Sequence, residues 1–312
     1  MKMINNHETT QKKAVNIRLF LLLAFGISWL TALVIYLTGG LVNSPELFPG
    51  SGITLAVILL ASVYMWGPAV AHIITRIIAR ESWQTAFLKP FMKDGWPWWL
   101  AGWFGPSLLI LLGTALFFLI FPTFYDAQLT LISSQLEAAG MGNGQLSILQ
   151  VILMQTIGAI LISPLINMIA TFGEEFGWRA YLLPKLTTTM GTRRALILSS
   201  LIWGVWHWPV VLMGHNYGLN YWGYPWSGLL ATVWFTLCIG VFIGWVTLKA
   251  GSVWPAVFAH GALNGLAAIG LLFVKSTPPM LLGPTPAGVF GVLPFTLAAL
   301  LILIKIGDEP TS

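Results

Sequence analysis

The stretch Leu19–Thr38, "LFLLLAFGISWLTALVIYLT", runs for twenty residues without a charged side chain. As a helix rising 1.5 Å per residue it spans about 30 Å, the thickness of a bilayer's hydrocarbon core. Lys2, Lys12, Lys13 and Arg18 precede it and it offers no small-residue cleavage site, so it is expected to be a first membrane helix rather than a secretory leader. The same criterion picks out seven further runs: Ile53 to Ile74, Trp98 to Phe121, Leu146 to Trp178, Leu196 to Met213, Ser227 to Leu248, Val253 to Val274 and Val289 to Ile306. The breaks between them, among them "GGLVNSPELFPGSG", "GMGNG", "GHNYGLNYWGYPW" and "STPPM", are rich in Gly, Pro, Asn and Ser. The expected fold class is therefore all-α, a polytopic bundle of about eight transmembrane helices. Residues 1–18 are expected to form an N-terminal tail, 19–306 a single membrane domain with its motif core at about 146–274, and 307–312 a C-terminal tail.

Composition agrees, with 57% hydrophobic residues, 8% charged residues and a mean hydropathy of +0.82. The net charge of +5 does not indicate a nucleic-acid partner, because the basic residues are spread over short loops. Those loops carry a topology signal instead. Lys2, Lys12, Lys13, Arg18, Arg76, Arg80, Lys89, Lys93, Lys185, Arg193, Arg194, Lys249 and Lys305 fall on one side of the bundle, and Lys275 falls alone on the other. The positive-inside rule then puts both termini in the cytoplasm. An integral, multi-pass protein of a bacterial plasma membrane is the expected localisation, and the lipid bilayer its surroundings. Cys238, the single cysteine, lies in an apolar run, which rules out an intrachain disulfide and a cysteine-based zinc site.

Few ionisable groups remain at membrane depth, and each needs a partner or a watery cavity. In "TFGEEFGWRAYLLPKL", residues 171–186, Glu175 and Arg179 are spaced i, i+4 and can pair on one helix face. Glu174, turned about 100° from its neighbour, is left free. A poorly solvated carboxylate of this kind suits a general base or acid, although the cluster equally fits a helix end whose side chains reach to water. In "LIWGVWHWPVVL", His207 lies roughly 18 Å along the fifth helix, beyond easy reach of the interface. In "VFAHGALNGL", His260 and Asn264 share one face of the seventh helix between Gly261 and Gly265, where they can also serve as glue between close-packed helices. Pro209 and Pro255 are placed to bend the fifth and seventh helices. His72 is expected at the interface beside Arg76, without a role.

Helix directions let the three clusters converge in the cytoplasmic half, with water entering from the cytoplasm. Glu174, His207, His260 and Asn264 would then supply a base, an orienting partner and oxyanion donors. Two histidines, His207 and His260, with a glutamate can instead hold Zn²⁺ with one position open for water. The residues leave both chemistries open.

At this point the sequence resembles the CPBP intramembrane proteases, the type II CAAX prenyl endopeptidase, bacteriocin-processing and abortive-infection family. The Glu-Glu-x-x-x-Arg motif stands as "EEFGWR", Glu174 to Arg179; Phe-x-x-x-His as "WGVWH", ending at His207; and His-x-x-x-Asn as "HGALN", His260 to Asn264. Trp203 departs from the usual Phe. The resemblance implies an intramembrane endopeptidase in which Glu174 activates water with help from His207 and support from Glu175 and Arg179. It further implies that His260 and Asn264 bind the oxyanion, or that His260 ligates a metal in a metalloprotease version. The implied partner is a membrane-anchored peptide or a prenylated protein.

Other classes fit less well. A rhomboid-type serine protease lacks its Gly-x-Ser-Gly turn, "YPWSG" being the nearest string; no His-Glu-x-x-His occurs; and Asp94, Asp126 and Asp308 all lie outside the apolar runs. A proton-coupled carrier is an alternative use of intramembrane Glu and His, without a visible inverted repeat to support it. A non-catalytic immunity or scaffold protein of the same fold is a third.

Overall fold

The computed structural model describes residues 2–138 and 147–306, with side chains from residue 15 onward except at position 135. The "GMGNG" break and the tail at 307–312 lie outside the described residues. Among the described residues there are helices and turns and no β-strand. Seven helices are long and apolar enough to cross a membrane: α1 (Lys2–Leu37, with its span at Val15–Leu37), α2 (Leu55–Ile78), α3 (Met92–Ile120), α4 (Ile148–Met190), α5 (Thr192–Leu212), α6 (Trp226–Ala250) and α7 (Trp254–Phe273). The shorter α8, Leu293–Lys305, completes the bundle. The chain is thus an integral, multi-pass helical membrane protein of about eight helices.

Several boundaries differ from those expected. Helix α1 starts at Lys2 because residues 2–18 contain neither Pro nor Gly to stop it, so the presumed tail continues the helix. Helix α4 runs past Trp178 through a π-turn at Trp178–Leu182 and ends only at Gly191, whose φ of 81° breaks the helix. Helix α8 begins at Leu293 rather than Val289, with Pro294 in its first turn. The residues before it fold back on themselves, Val289 and Phe290 donating backbone N–H bonds to Leu281 and Leu282. Pro255 does not bend α7 but starts it, occupying the first turn where a missing N–H costs nothing. A short helix at Thr130–Ala138, absent from the sequence reading, lies between α3 and α4.

Packing is closest where α7 meets α4 and α3, where α5 meets α6, and where α2 meets α1 and α4. Between membrane helices the apolar effect is weak, because lipid is as apolar as leucine; close contact relies on small residues. Gly261 and Gly265 of α7 lie against Pro164 and Ser163 of α4, and Asn167 Nδ2 donates to the Gly261 carbonyl at 3.1 Å. The glycines are the close-packing device here, which leaves His260 and Asn264 for another purpose. Helices α6 and α7 are the most buried, whereas the first half of α4 presents Leu153, Ile157, Ile166 and Ile169 outward, as a lipid-facing surface should.

His72 does not face the surroundings of the bundle. It is fully buried, and its Nδ1 lies 2.7 Å from the Phe176 carbonyl of α4 while Arg76 Nε donates to its Nε2 at 2.9 Å. A carbonyl only accepts, so the ring proton sits on Nδ1. This bond pins α2 to α4 one residue beyond the glutamate pair. Nearby, a Cβ on Gly177 would stand 2.6 Å from the Pro68 carbonyl oxygen. Gly177→Ala is therefore expected to overpack the α2–α4 contact and destabilise by about 1–3 kcal/mol. Gly26→Ala, where a Cβ meets nothing within 4 Å, is the control. Thermal unfolding in detergent should show a lowered midpoint for the first and none for the second.

Candidate active site

Glu174 and Glu175 lie at the end of the regular part of α4, directly before its π-turn. The expected ion pair is present across that turn: Arg179 Nε is 3.2 Å from Glu175 Oε2, and Nη1 donates to Oε1 at 3.3 Å. Glu175 is 0% exposed and Arg179 2%. Charges buried this deeply persist only when paired. Glu175 has a second partner, His260 Nδ1 at 2.8 Å, and the Arg179 guanidinium lies 4.1 Å over the Trp203 ring. One carboxylate therefore links α4 to α7 and, through Arg179, to α5.

Glu174 faces a different environment. Its Oε2 accepts a hydrogen bond from Trp203 Nε1 at 2.8 Å, and its side chain lines a cavity of about 420 Å³ together with Trp203, His207, His260 and Asn264. In the sequence Trp203 reads only as a large aromatic in place of Phe. Its indole N–H, which phenylalanine lacks, is a direct contact to the free carboxylate. Tyr64, which gave no signal in the sequence, also lines the cavity; its hydroxyl donates to the Trp206 carbonyl at 2.6 Å.

The local helix break explains the orientation of His207. In α5 its backbone N–H bonds to Gly204 rather than to Trp203, and Pro209 opens the next short turn, Trp208–Leu212. The Trp203 carbonyl is thereby freed and takes His207 Nδ1 at 2.8 Å. With Nδ1–H committed to a carbonyl, Nε2 is the basic nitrogen left to the cavity. His260 is turned similarly: its Nδ1 faces Glu175, which leaves Nε2. Asn264 follows one turn later, exposed to the cavity.

The mouth of the cavity is not where the sequence reading put it. Besides the site residues, the lining comes from Leu60 and Met65 in the first half of α2, Thr232 and Thr236 in the first half of α6, His215 and Asn216 between α5 and α6, and Met280 and Thr285 to Ala287 between α7 and α8. These segments belong to the end of the bundle opposite the basic loops. Toward the basic end, Trp178, Leu182, Leu183, Leu196 and Val257 are all 0% exposed, so large packed side chains close that route. The cavity lining thus extends toward the end opposite the one from which water is expected on the sequence alone.

A zinc site on His207 and His260 needs at least one more protein ligand in a converging arrangement. Among the described residues no three His, Cys, Asp or Glu side chains come together in such a way. His260 Nδ1 and the Glu175 carboxylate are already committed to each other. Among the described residues, the arrangement does not fit a three-ligand zinc.

The buried charges make a stability prediction. Glu175→Leu would strand the Arg179 guanidinium and is expected to destabilise by about 3–5 kcal/mol, whereas adding Arg179→Leu should recover much of that loss. Thermal unfolding of both variants in detergent checks the difference.

Comparison with known proteins points the same way as the geometry. Residues 155–266 match the type II CAAX prenyl endopeptidase Rce1-like family. The chain is similar to CAAX prenyl protease 2 of Methanococcus maripaludis, with 31% identity over 102 residues, which span 32% of this chain and 37% of that relative. The family match runs from near the start of α4 into α7 and so contains Glu174, Arg179, His207, His260 and Asn264. The match covers about a third of the chain, and in this segment the chain is similar to type II CAAX prenyl endopeptidases.

Proposed function

We propose that the protein hydrolyses a peptide bond of a membrane-associated substrate with a water molecule activated by Glu174. The observation that carries this reading is the placement of one uncompensated carboxylate on the cavity wall, held by Trp203 Nε1, in the same cavity as His207, His260 and Asn264. In the reaction, the Glu174 carboxylate takes a proton from water as the water oxygen attacks the scissile carbonyl carbon. Negative charge develops on the carbonyl oxygen, where the Asn264 amide and a proton on His260 Nε2 can stabilise it. Glu175 supports that protonated form from the other edge of the imidazole. Collapse of the tetrahedral intermediate breaks the C–N bond, and the proton held by Glu174 passes to the leaving amine. His207 Nε2 helps to orient the water.

The substrate is a peptide anchored in the bilayer or a lipid-modified C-terminus, and the location is a bacterial plasma membrane. A carrier has less support. The cavity stops at the packed Glu175, Arg179 and Trp203 side chains and does not continue toward the basic end.

Purified protein in liposomes should cleave a fluorogenic membrane-anchored peptide. Glu174→Gln, which keeps an oxygen for Trp203 but removes the base, should lower kcat by about 10²–10⁴-fold. Unchanged cleavage in that variant would sink the proposal. Trp203→Phe removes a hydrogen bond to a charged group, and a loss of about tenfold in kcat with little change in KM is expected. Hydrolysis should survive treatment with phenanthroline; activity lost to the chelator and restored by added zinc would overturn the metal-free mechanism.

A further inference from the structure

Two observations, the distribution of basic residues and the direction of the cavity, combine into a statement about substrate. One end of the bundle carries Arg76 and Arg80 after α2, Lys185 and Arg194 around the α4–α5 turn, and Lys249 and Lys305 at the ends of α6 and α8. The opposite end carries Lys275 with the acidic Glu46, Asp126 and Glu137. A bias of this size orients a multi-pass protein with its basic end in the cytoplasm.

The cavity opens at the other end. Its outer rim is His215 and Asn216, in the α5–α6 connection, and Met280, in the α7–α8 connection. His215 is exposed. Thr285, on the same wall, is only 8% exposed, and its hydroxyl has no hydrogen-bond partner in the protein. A buried hydroxyl without a partner is costly, and a peptide backbone entering past this wall would satisfy it. On the cytoplasmic side, Trp178 and Leu183 seal the floor beneath Glu175.

We infer that the Glu174 cavity receives its substrate from the non-cytoplasmic face of the membrane. The substrate class is then an exported or membrane-anchored peptide segment that has already crossed the bilayer. A lipidated C-terminus presented from the cytosol does not meet this requirement. The sidedness stands on topology and cavity shape; the word substrate rests on the hydrolytic reading proposed above.

Cysteine labelling separates the two. In a Cys238→Ser background, which removes the single and buried native thiol, His215→Cys or Met280→Cys marks the mouth and Arg194→Cys or Lys249→Cys marks the basic end. With a membrane-impermeant maleimide, the mouth variants should label in intact spheroplasts, and the basic-end variants only after lysis. The reverse pattern overturns the inference, and using two positions at each end guards against one variant that fails to fold. In a second arm, liposomes of known protein orientation receive a lipid-tethered fluorogenic peptide in one leaflet. Cleavage is expected only when the peptide is presented on the face where His215→Cys labels; cleavage from the basic face alone overturns the inference. With the expected labelling, cleavage from neither face would sink the hydrolytic reading and leave the sidedness standing.

Discussion

Glu175 is the charge on which the arrangement depends. Buried without water, it needs partners, and it takes two: the Arg179 guanidinium on its own helix and His260 Nδ1 on α7. Arg179 in turn lies on Trp203 of α5. Three helices are thus tied at one point by interactions that are strong where the local dielectric is low and costly to break singly. The π-turn that follows Glu175 lets Arg179 fold back along α4 while the chain continues into the basic end. Because Glu175 absorbs the positive charge, Glu174 beside it remains available to the cavity.

A second consequence concerns the two imidazoles. Each histidine has its Nδ1 engaged by a fixed acceptor, the Glu175 carboxylate for His260 and the Trp203 carbonyl for His207. Both rings are therefore held with Nε2 as the free nitrogen, and neither depends on substrate to choose its orientation. Such preorganisation is what a site needs to stabilise developing charge without reorganising at the moment of reaction. Trp203 serves both sides of the arrangement: its ring supports Arg179, its carbonyl orients His207, and its indole N–H holds Glu174.

Much of this was legible in the sequence, for physical reasons. Uncharged runs of about twenty residues can hardly be anything but membrane helices, and the i, i+4 spacing of Glu175 and Arg179 announced their pairing. Glu174, His207, His260 and Asn264 were conspicuous because polar side chains in apolar helices are costly. The site's other parts had no such signal. Trp203 resembled ordinary aromatic packing, since nothing local says where an indole N–H will point. Tyr64 comes from a helix with no motif. The role of His72 was not legible because its partner, the Phe176 carbonyl, lies on another helix. The direction of the cavity was missed for the same reason: convergence of three motifs gives a location, but which end is sealed depends on packing by Trp178, Leu182 and Leu183, which carry no chemical mark.

The central claim is that Glu174 delivers water and does not itself attack the substrate. A single-turnover hydrolysis in water enriched with oxygen-18 tests it most directly. Mass spectrometry should find the label in the new product carboxylate on the first turnover and none in the peptide that contains Glu174. Oxygen-18 in Glu174 would indicate an acyl-enzyme anhydride and contradict the account.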